Sequence, residues 1–404
     1  METPLRDTEV RQLKDQACAA IDAAAQTLVE VSHDIHAHPE QNYAEFFASE
    51  LLSRTAGSHG LDVELGAYSS VTGFSGDIGN GPTVCIMSEY DALPDIGHGC
   101  GHNVIAAAGL GAAIGLATVA SSAGGRLRYM GTPAEEGGGG KILMAQHGAL
   151  EGVDVAMMVH SADADLTTID AIALQQLLVE YFGEEAHAAA APHRGRNALD
   201  AAVLGYMNVA ALRQHILPTE RVHGIFLKAG EKPNIVPREA STEWYVRSDT
   251  ISTLNELKPR VLSALVSSGP ACGCSAEHQW IGSPYADMVT NTALSASYVA
   301  NAAYLGRAVV DPRVGGHRVV GSTDMGNISH LVPSIHPMIA SAPAGSSIHT
   351  LAFAKHSREK MADAAVLDGA KAMAMTAIDY WTSSERQSAV AAEFLAANAD
   401  KNVL

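Results

Sequence analysis

SEYDALPDIGHGCGHN, residues 88–103, lies between an apolar run and a segment of small apolar residues. The run at 83–87 predicts a buried parallel strand, and residues 104–120 predict a helix. Carboxylates, imidazoles and a thiol therefore crowd the carboxyl end of a strand, where open α/β sheets place their ligand sites. Cys100 and His102 are one glycine apart, and both are side chains that bind zinc or a similar metal. Taken alone, a buried cysteine is more often a core residue.

Strands and helices alternate on both sides of this stretch. The strands are predicted at 62–65, 73–78, 83–87, 126–131 and 153–159, and the helices at 43–58, 104–120 and 141–147. This order predicts an α/β fold with a mostly parallel sheet flanked by helices.

A chain of 404 residues exceeds what one hydrophobic core usually serves, so two domains are expected. From about residue 174 the pattern changes to a strand at 175–182 that could pair on a sheet edge, a long helix at 197–216, and further strands and a helix up to 267. We expect an inserted α+β lid or dimerisation domain, residues 173–286. Residues 1–172 and 287–404 then form the catalytic domain.

The charge balance excludes some classes of partner. With 26 basic and 44 acidic residues the net charge is −18, which argues against nucleic acid and against an anionic membrane surface. No apolar run approaches the roughly 18 residues of a spanning helix, and residues 1–10 lack the apolar core of a signal peptide. Five cysteines do not suggest a disulfide framework. We expect a cytoplasmic protein.

A pair of carboxylates, Glu135 and Glu136, follows the strand at 126–131 and precedes four glycines. Adjacent carboxylates point in different directions, so one can bind a metal while the other acts as a base. The alternative is an acidic helix N-terminus. The glycines suggest backbone that approaches a ligand. His160 and His349 also follow predicted strands, and such positions face one edge of a parallel sheet.

Eight segments, taken together, resemble a known family. They run in the family's order: IHAHPE (35–40), DALP (91–94), HGCGHN (98–103), PAEEGG (133–138), His160-Ser161, HAAAAP (187–192), NIVP (234–237) and Ile348-His349-Thr350. The family is that of the di-metal peptidases and amidohydrolases, which includes aminoacylase, hippurate hydrolase and indole-acetyl-amino-acid hydrolase. With GSTDMGN (321–327), the chain is most similar to the branch of aminobenzoyl-glutamate hydrolase and the β-alanyl-dipeptidase-like proteins.

The resemblance implies a ligand set for two divalent metal ions, zinc or manganese, with Cys100 as the bridge. The implied ligands are Cys100, His102, Glu136, His160 and His349.

The resemblance also implies roles for five other side chains. Glu135 is the general base, and Asp91 orients a ligand by hydrogen bonding. His187, on the inserted domain, reaches a partner subunit's site and stabilises the oxyanion. Asn234 and Arg247 hold the substrate carboxylate.

The expected activity is hydrolysis of an amide bond in an N-acyl amino acid, aminobenzoyl-glutamate or a small dipeptide, by a homodimer. Many relatives have Asp and His where this chain has Asn103 and Ile105, which leaves metal number and identity open. Glu184 and Glu185 stand where a basic residue is common, which suggests a substrate with a cationic end. Two alternatives remain: a hydrolase with Cys100 as nucleophile and His102 as base, and a non-catalytic, metal-stabilised partner subunit.

Overall fold

A computed structural model describes residues 6–315, 320–397, 400 and 403–404. The described chain forms two compact units. The second unit is Ala171–Asp287 with Val403, and the first comprises the other described residues, before Ala171 and from Met288 onward. Residues 1–5 of the polar amino-terminal segment lie outside the described residues.

The strands are numbered in chain order. They are β1 (Val63–Leu65), β2 (Phe74–Gly79), β3 (Thr83–Ser88), β4 (Arg126–Gly131), β5 (Val155–Met157), β6 (His160–Ala162), β7 (Asp170–Ala171), β8 (Ala173–Phe182), β9 (Arg221–Lys228), β10 (Glu239–Ser248), β11 (Ser275–Tyr285), β12 (Val320–Gly321), β13 (Ser334–Ile335) and β14 (Met338–Ala340).

The helices are numbered in the same way. They are α1 (Asp7–Ala23), α2 (Ala25–Ala37), α3 (Phe46–Ser58), α4 (His102–Ala117), α5 (Gly140–Gln146), α6 (Ala198–Leu212), α7 (Ile251–Val266), α8 (Ser268–Ala271), α9 (Thr292–Tyr304), α10 (Pro312–Gly315), α11 (Met325–Leu331), α12 (Leu351–His356), α13 (Lys360–Trp381) and α14 (Ser384–Ala396).

The first unit is built on a six-stranded sheet in the order β1-β2-β4-β3-β5-β13. The pairs β3–β4, β3–β5 and β5–β13 are parallel, whereas β1–β2 and β2–β4 are antiparallel. Every residue of β3 is buried, as expected for a parallel strand covered by helices on both faces. The predicted α/β fold with a mainly parallel sheet is confirmed.

Helix α4 joins the sheet to the candidate site. Its residues from His102 to Leu116 are all buried, and small side chains allow this close packing. A Cβ on Gly109 would lie 2.2 Å from Oγ of Ser88 at the end of β3. Because α4 begins at His102, the close contact between helix and strand fixes where that imidazole lies.

The second unit contains a four-stranded antiparallel sheet in the order β11-β8-β10-β9. Residues along β8 alternate between buried and more exposed, because one face of the sheet packs on α6 and α7. The expectation that the strand at 175–182 lies on an edge is wrong. It pairs with β10 on one side and with β11, a strand not predicted from the sequence, on the other.

Candidate metal centre

The first unit brings the five predicted metal ligands together. Sγ of Cys100 lies 3.7 Å from Nε2 of His160 and 3.5 Å from Nε2 of His349. Glu136 lies beside two of the imidazoles, at 3.8 Å from Nε2 of His102 and 3.7 Å from Nε2 of His349.

These side chains fall into two groups that share one sulfur atom. In each group the candidate ligand atoms all lie within 4.8 Å of one another. One group is Cys100, His102 and His160, and the other is Cys100, Glu136 and His349. A thiolate common to both groups occupies the place that a bridging ligand requires.

Hydrogen bonds set the tautomers of two of the histidines. His102 donates from Nδ1 to Oδ1 of Asp91 at 3.0 Å, and His160 donates from Nδ1 to the carbonyl of Ser161 at 2.7 Å. Because each Nδ1 donates, Nε2 is the nitrogen that each ring can present to a metal ion. Burial alone would lower the pKa of His102, but Asp91 raises that pKa well above its usual value, so a metal ion bound at Nε2 would displace a proton. Burial lowers the pKa of His160 to about 3, so this imidazole is neutral, as a ligand must be.

Two buried ligand atoms lack hydrogen bonds within the part of the chain that the structure describes. They are Nε2 of His102 and Oε1 of Glu136. Leaving a buried polar atom unpaired costs about 1–3 kcal/mol, and unpaired atoms of both ligand groups, 3.8 Å apart, are expected where cations bind beside them. The sulfur, nitrogen and oxygen donors present are those that zinc and similar divalent ions prefer. The residues therefore fit the expected metal ions.

Asp91 connects two of the ligands. Besides accepting from His102, its second oxygen accepts the backbone N–H of Glu136 at 2.9 Å. Burial alone would raise the pKa of Asp91, but the neighbouring His102 and these hydrogen bonds keep that pKa below its usual value. The carboxylate is thus ionised and accepts from both ligands.

Glu135 lies in the same pocket but in a different electrostatic setting. Its carboxylate is 3.9 Å from Nε2 of His102. Burial, then the charges of Glu89 and Glu136, raise its pKa well above the usual value. A carboxyl group with a raised pKa accepts a proton readily, which is the property required of a general base.

The backbone beside Glu135 is strained. Ala134 has a φ of 59°, in the left-handed region that residues with a Cβ rarely adopt. The N–H of Ala134 donates a hydrogen bond to Oε1 of Glu45 at 2.9 Å. His349 also has a positive φ, 61°, and its N–H donates to the carbonyl of Gly99 at 2.8 Å. Strained residues of this kind cluster at functional sites.

Two of the four glycines after Glu136 lie in close contact with other parts of the protein. A Cβ on Gly140 would lie 1.9 Å from the carbonyl oxygen of Pro133, and one on Gly138 would lie 2.5 Å from the ring of Tyr43. These glycines are therefore required by contacts within the protein.

A buried ion-pair network beside the ligands was not predicted from the sequence. The ammonium of Lys141 pairs with Glu89 and, at 2.7 Å, with Oδ1 of Asp324, and all three side chains are fully buried. His336 is a second omission, since its ring lies 5.4 Å from that of His160. The sequence offered two signals of this network. One is a lysine at the start of the apolar segment 142–144, and the other is a glutamate after the apolar run at 83–87.

The other three predicted site residues lie in the second unit. His187 is exposed, and its Nδ1 accepts the backbone N–H groups of Ala189 and Ala190 at 3.2 and 3.1 Å. The N–H of Ala188 donates to the carbonyl of Asn234, so the His187 and Asn234 segments are adjacent. Arg247 lies on β10, where its guanidinium is 5.4 Å from the centre of the Tyr245 ring.

No helix within the described ranges is both long enough and apolar enough to cross a membrane.

The sequence matches peptidase family M20/M25/M40 over residues 85–379. It is 35% identical over 386 residues to the Xaa-Arg dipeptidase of Mus musculus, a match that covers 92% of this chain and 89% of that protein. The structure is similar to that of the aminobenzoyl-glutamate utilization protein from Klebsiella pneumoniae, with a TM-score of 0.74, 19% identity, and coverage of 89% of this chain and 98% of that chain. A dinuclear metal binding peptidase from Bacillus subtilis gives a TM-score of 0.67 at 18% identity, with coverage of 89% and 98%.

Proposed function

The chain belongs to peptidase family M20/M25/M40, and from this membership we propose that it is a dipeptidase that cleaves dipeptides with a basic carboxyl-terminal residue. The family that the motifs resemble is thereby confirmed. With it, the chain is assigned to the metal-dependent hydrolases of amide bonds. The substrate and the roles of individual residues are our proposals.

One observation carries the choice of substrate. The likeness to the Xaa-Arg dipeptidase extends over 92% of this chain and 89% of that protein, so it includes the inserted unit as well as the metal ligands. Within that unit, Glu185, Glu231 and Glu239 line a cavity of about 340 Å³, together with Lys228 and Arg238. Lys228 pairs with Glu239, and Arg238 lies 3.8 Å from Glu185. Three carboxylates against two cations leave a net negative charge, which favours a guanidinium or ammonium group.

Glu135 performs the proton transfers in the proposed reaction. Two divalent ions, zinc or manganese, held by the shared-sulfur ligand groups would acidify a water molecule and polarise the scissile carbonyl. The carboxylate of Glu135 accepts the proton of the attacking water and then donates it to the leaving amine. Burial of this carboxylate supports the assignment, because its raised pKa strengthens it as a base.

The tautomer of His187 supports its proposed role as an oxyanion donor. Since Nδ1 accepts two backbone N–H groups, the proton is on Nε2, and a neutral imidazole in this state donates outward without being charged. A donor directed at the developing oxyanion stabilises the transition state. Asn234 and Arg247 are proposed to bind the substrate carboxylate, for which the planar guanidinium of Arg247 is well suited.

We propose that the protein is a homodimer formed through the second unit. Strand β9 lies at the edge of its sheet, and Ile225 and Leu227 on it are 60% and 52% exposed. On α6, Met207 is 57% exposed. An apolar edge strand pairs readily with a second copy of itself. Changing Leu227 to Lys is expected to give monomers in analytical ultracentrifugation, whereas Val71→Lys, at an exposed apolar residue of the first unit, is expected to leave the dimer intact.

The predicted cytoplasmic location also remains a proposal. It is supported by the five cysteines, all of which are free thiols, since cytosolic proteins keep their thiols reduced.

The substrate proposal is tested by a screen of purified protein, stripped of metal and then restored with zinc or manganese. The panel compares Xaa-Arg and Xaa-Lys dipeptides with Xaa-Leu dipeptides, N-acyl amino acids and aminobenzoyl-glutamate. We expect the basic dipeptides to have the highest kcat/KM. Glu185→Gln is expected to reduce this preference a few-fold, because an exposed carboxylate contributes little, without changing kcat/KM for Xaa-Leu. Equal rates for basic and neutral dipeptides would overturn the substrate proposal.

The same assay separates the two rival interpretations. A hydrolase with Cys100 as nucleophile keeps its activity after chelation, whereas the proposed enzyme loses it and recovers when metal returns. A non-catalytic partner subunit has no activity with any substrate of the panel after either metal is restored.

A further inference from the structure

The proposed general base, Glu135, lies on a short turn that is closed by backbone hydrogen bonds. The carbonyl of Ala134 accepts the N–H groups of Gly138 and Gly139 at 2.9 and 2.8 Å. This turn, residues 134–138, is called the Glu135 turn. Ala134 at its start is fully buried and has a φ of 59°. A residue with a Cβ keeps such a conformation only when its surroundings hold it there, so a contact from outside the turn is required.

The carboxyl group of Glu45 makes that contact. Its Oε1 accepts the N–H of Ala134 at 2.9 Å, and its Oε2 accepts the hydroxyl of Thr72 at 2.9 Å. Glu45 has no exposed surface, and a buried carboxyl group is unfavourable unless it is hydrogen-bonded. Both oxygens are bonded here, and one of the two bonds fixes the residue that directly precedes Glu135.

Glu45 is itself attached to a fixed support, the start of helix α3. Its carbonyl accepts the N–H of Ser49 at 3.1 Å in the first turn of that helix. The carboxylate of Glu40 accepts the N–H groups of Phe47 and Ala48 at 2.9 and 3.0 Å, which satisfies two donors that a helix start leaves unpaired. A side chain carried by such a helix end is placed more precisely than one on a free loop.

The rest of the Glu135 turn is also held from outside. Tyr43, two residues before Glu45, donates its hydroxyl to the carbonyl of Gly138 at 2.7 Å. The N–H of Glu136 donates to Asp91 at 2.9 Å. Glu135 therefore lies between two fixed peptide groups, one on the side of Ala134 and the other on the side of Glu136.

We propose that Glu45 is a positioning residue for the general base: by holding Ala134 in the left-handed conformation, it directs Glu135 into the metal pocket. This inference rests on the proposed function and adds to it a residue that acts through the backbone. Because Asp91 holds Glu136 separately, removing the carboxyl group of Glu45 changes turnover and leaves metal binding intact. A displacement of about 1 Å at a reacting group can reduce the rate by about 10²-fold.

The test measures kcat, KM and zinc content of Glu45 variants, with an Xaa-Arg dipeptide as substrate. Glu45→Leu, whose side chain has no acceptor, is expected to lower kcat by about 10²-fold, with KM and zinc content as in wild type. Glu45→Gln keeps an acceptor for Ala134 and is expected to retain most of the turnover. Thr72→Val removes the other hydrogen bond of the same carboxyl group and is the matched control, with wild-type kcat expected. If Glu45→Leu does not fold, Glu45→Asp, which is one methylene shorter, is expected to show the same loss.

Hydrogen exchange, followed by mass spectrometry, reports on the turn without any measurement of activity. Peptides that contain Ala134 are expected to exchange faster in Glu45→Leu than in wild type, and at the wild-type rate in Thr72→Val. Wild-type exchange in Glu45→Leu, or equal losses of kcat in Glu45→Leu and Thr72→Val, would overturn the proposal.

The two proposals fail in different ways. If wild type cleaves dipeptides and Glu135→Gln does not, yet Glu45→Leu does so at the full rate, the inference fails and the proposed function stands. If wild type cleaves no substrate of the panel, the proposed function fails, and the exchange rates decide whether Glu45 holds the turn.

Discussion

Asp91 accepts a hydrogen bond from Nδ1 of His102 at 3.0 Å, and both side chains are buried. This contact determines which nitrogen of His102 faces the other candidate ligands. The second oxygen of Asp91 accepts the N–H of Glu136, so one carboxylate contacts two candidate metal ligands from different parts of the chain. Partners of this kind affect a metal site nearly as much as the ligands themselves.

Asp91→Asn is therefore expected to weaken metal binding by about 10–100-fold. His102 and Glu136 bond different oxygens of Asp91, and in asparagine one of these atoms becomes an NH2 group, which cannot accept. Chelator competition measures the affinity. Asp95→Asn, at an exposed residue of the same loop, is the control, and equal affinities for the two variants would contradict the orienting role of Asp91.

Glu135 and Glu136 are expected to respond differently to the same change. Glu135→Gln should fold and bind metal like wild type but lose about 10²–10⁴-fold in kcat, the usual contribution of a positioned base. Glu136→Gln should lose metal instead. Metal content and kcat, measured on the same preparations, distinguish the two. Near wild-type turnover in the Glu135 variant would refute its assignment as the base.

Gly101 is expected to be required between Cys100 and His102. Its φ is 74°, and a Cβ there would lie 2.3 Å from Oγ of Ser161. Gly101→Ala should cost about 1–2 kcal/mol in backbone strain, with about 1–3 kcal/mol more from the clash. Gly124→Ala is a matched control, because Gly124 has a φ of 67° but no atom within 4 Å of its Cβ position. Denaturant unfolding should show the larger loss for Gly101→Ala.

Glu45 is expected to make stability depend on pH. Burial raises its pKa from 4.5 to about 7 in the folded protein, so the folded state binds this proton more tightly than the unfolded state. The stabilisation is complete below pH 4.5 and is lost as pH rises through about 7. The loss is on the order of 3 kcal/mol.

The comparison with Glu45→Gln isolates this effect, because the amide does not titrate. The free energy of unfolding of wild type, minus that of the variant, should fall between pH 5 and pH 8. A difference that stays constant over this range would show that Glu45 does not titrate as its burial implies.

Local patterns were sufficient for the five strands predicted between residues 62 and 159 and for choosing the five candidate metal ligands. The strand predicted at 126–131 was found at those residues, because apolar residues that alternate with arginines over a short segment are a local pattern typical of a strand. The order of motifs was sufficient for the family, and the five predicted ligands do lie together. Residue type and spacing are enough to predict a strand or a motif, because each of these is a property of one segment of the chain.

Tertiary packing decided what depends on residues far apart in the chain. Lys141 and Asp324 are separated by 183 positions. The sequence around either residue does not indicate that its charge will be neutralised by the other in a buried ion pair. The interior place of β8 likewise follows from its pairing with β11, about a hundred residues later. Which nitrogen of His102 faces a metal, and how far burial raises the pKa of Glu135, depend on the neighbours that folding provides, since hydrogen-bond partners and local dielectric are properties of the packed structure.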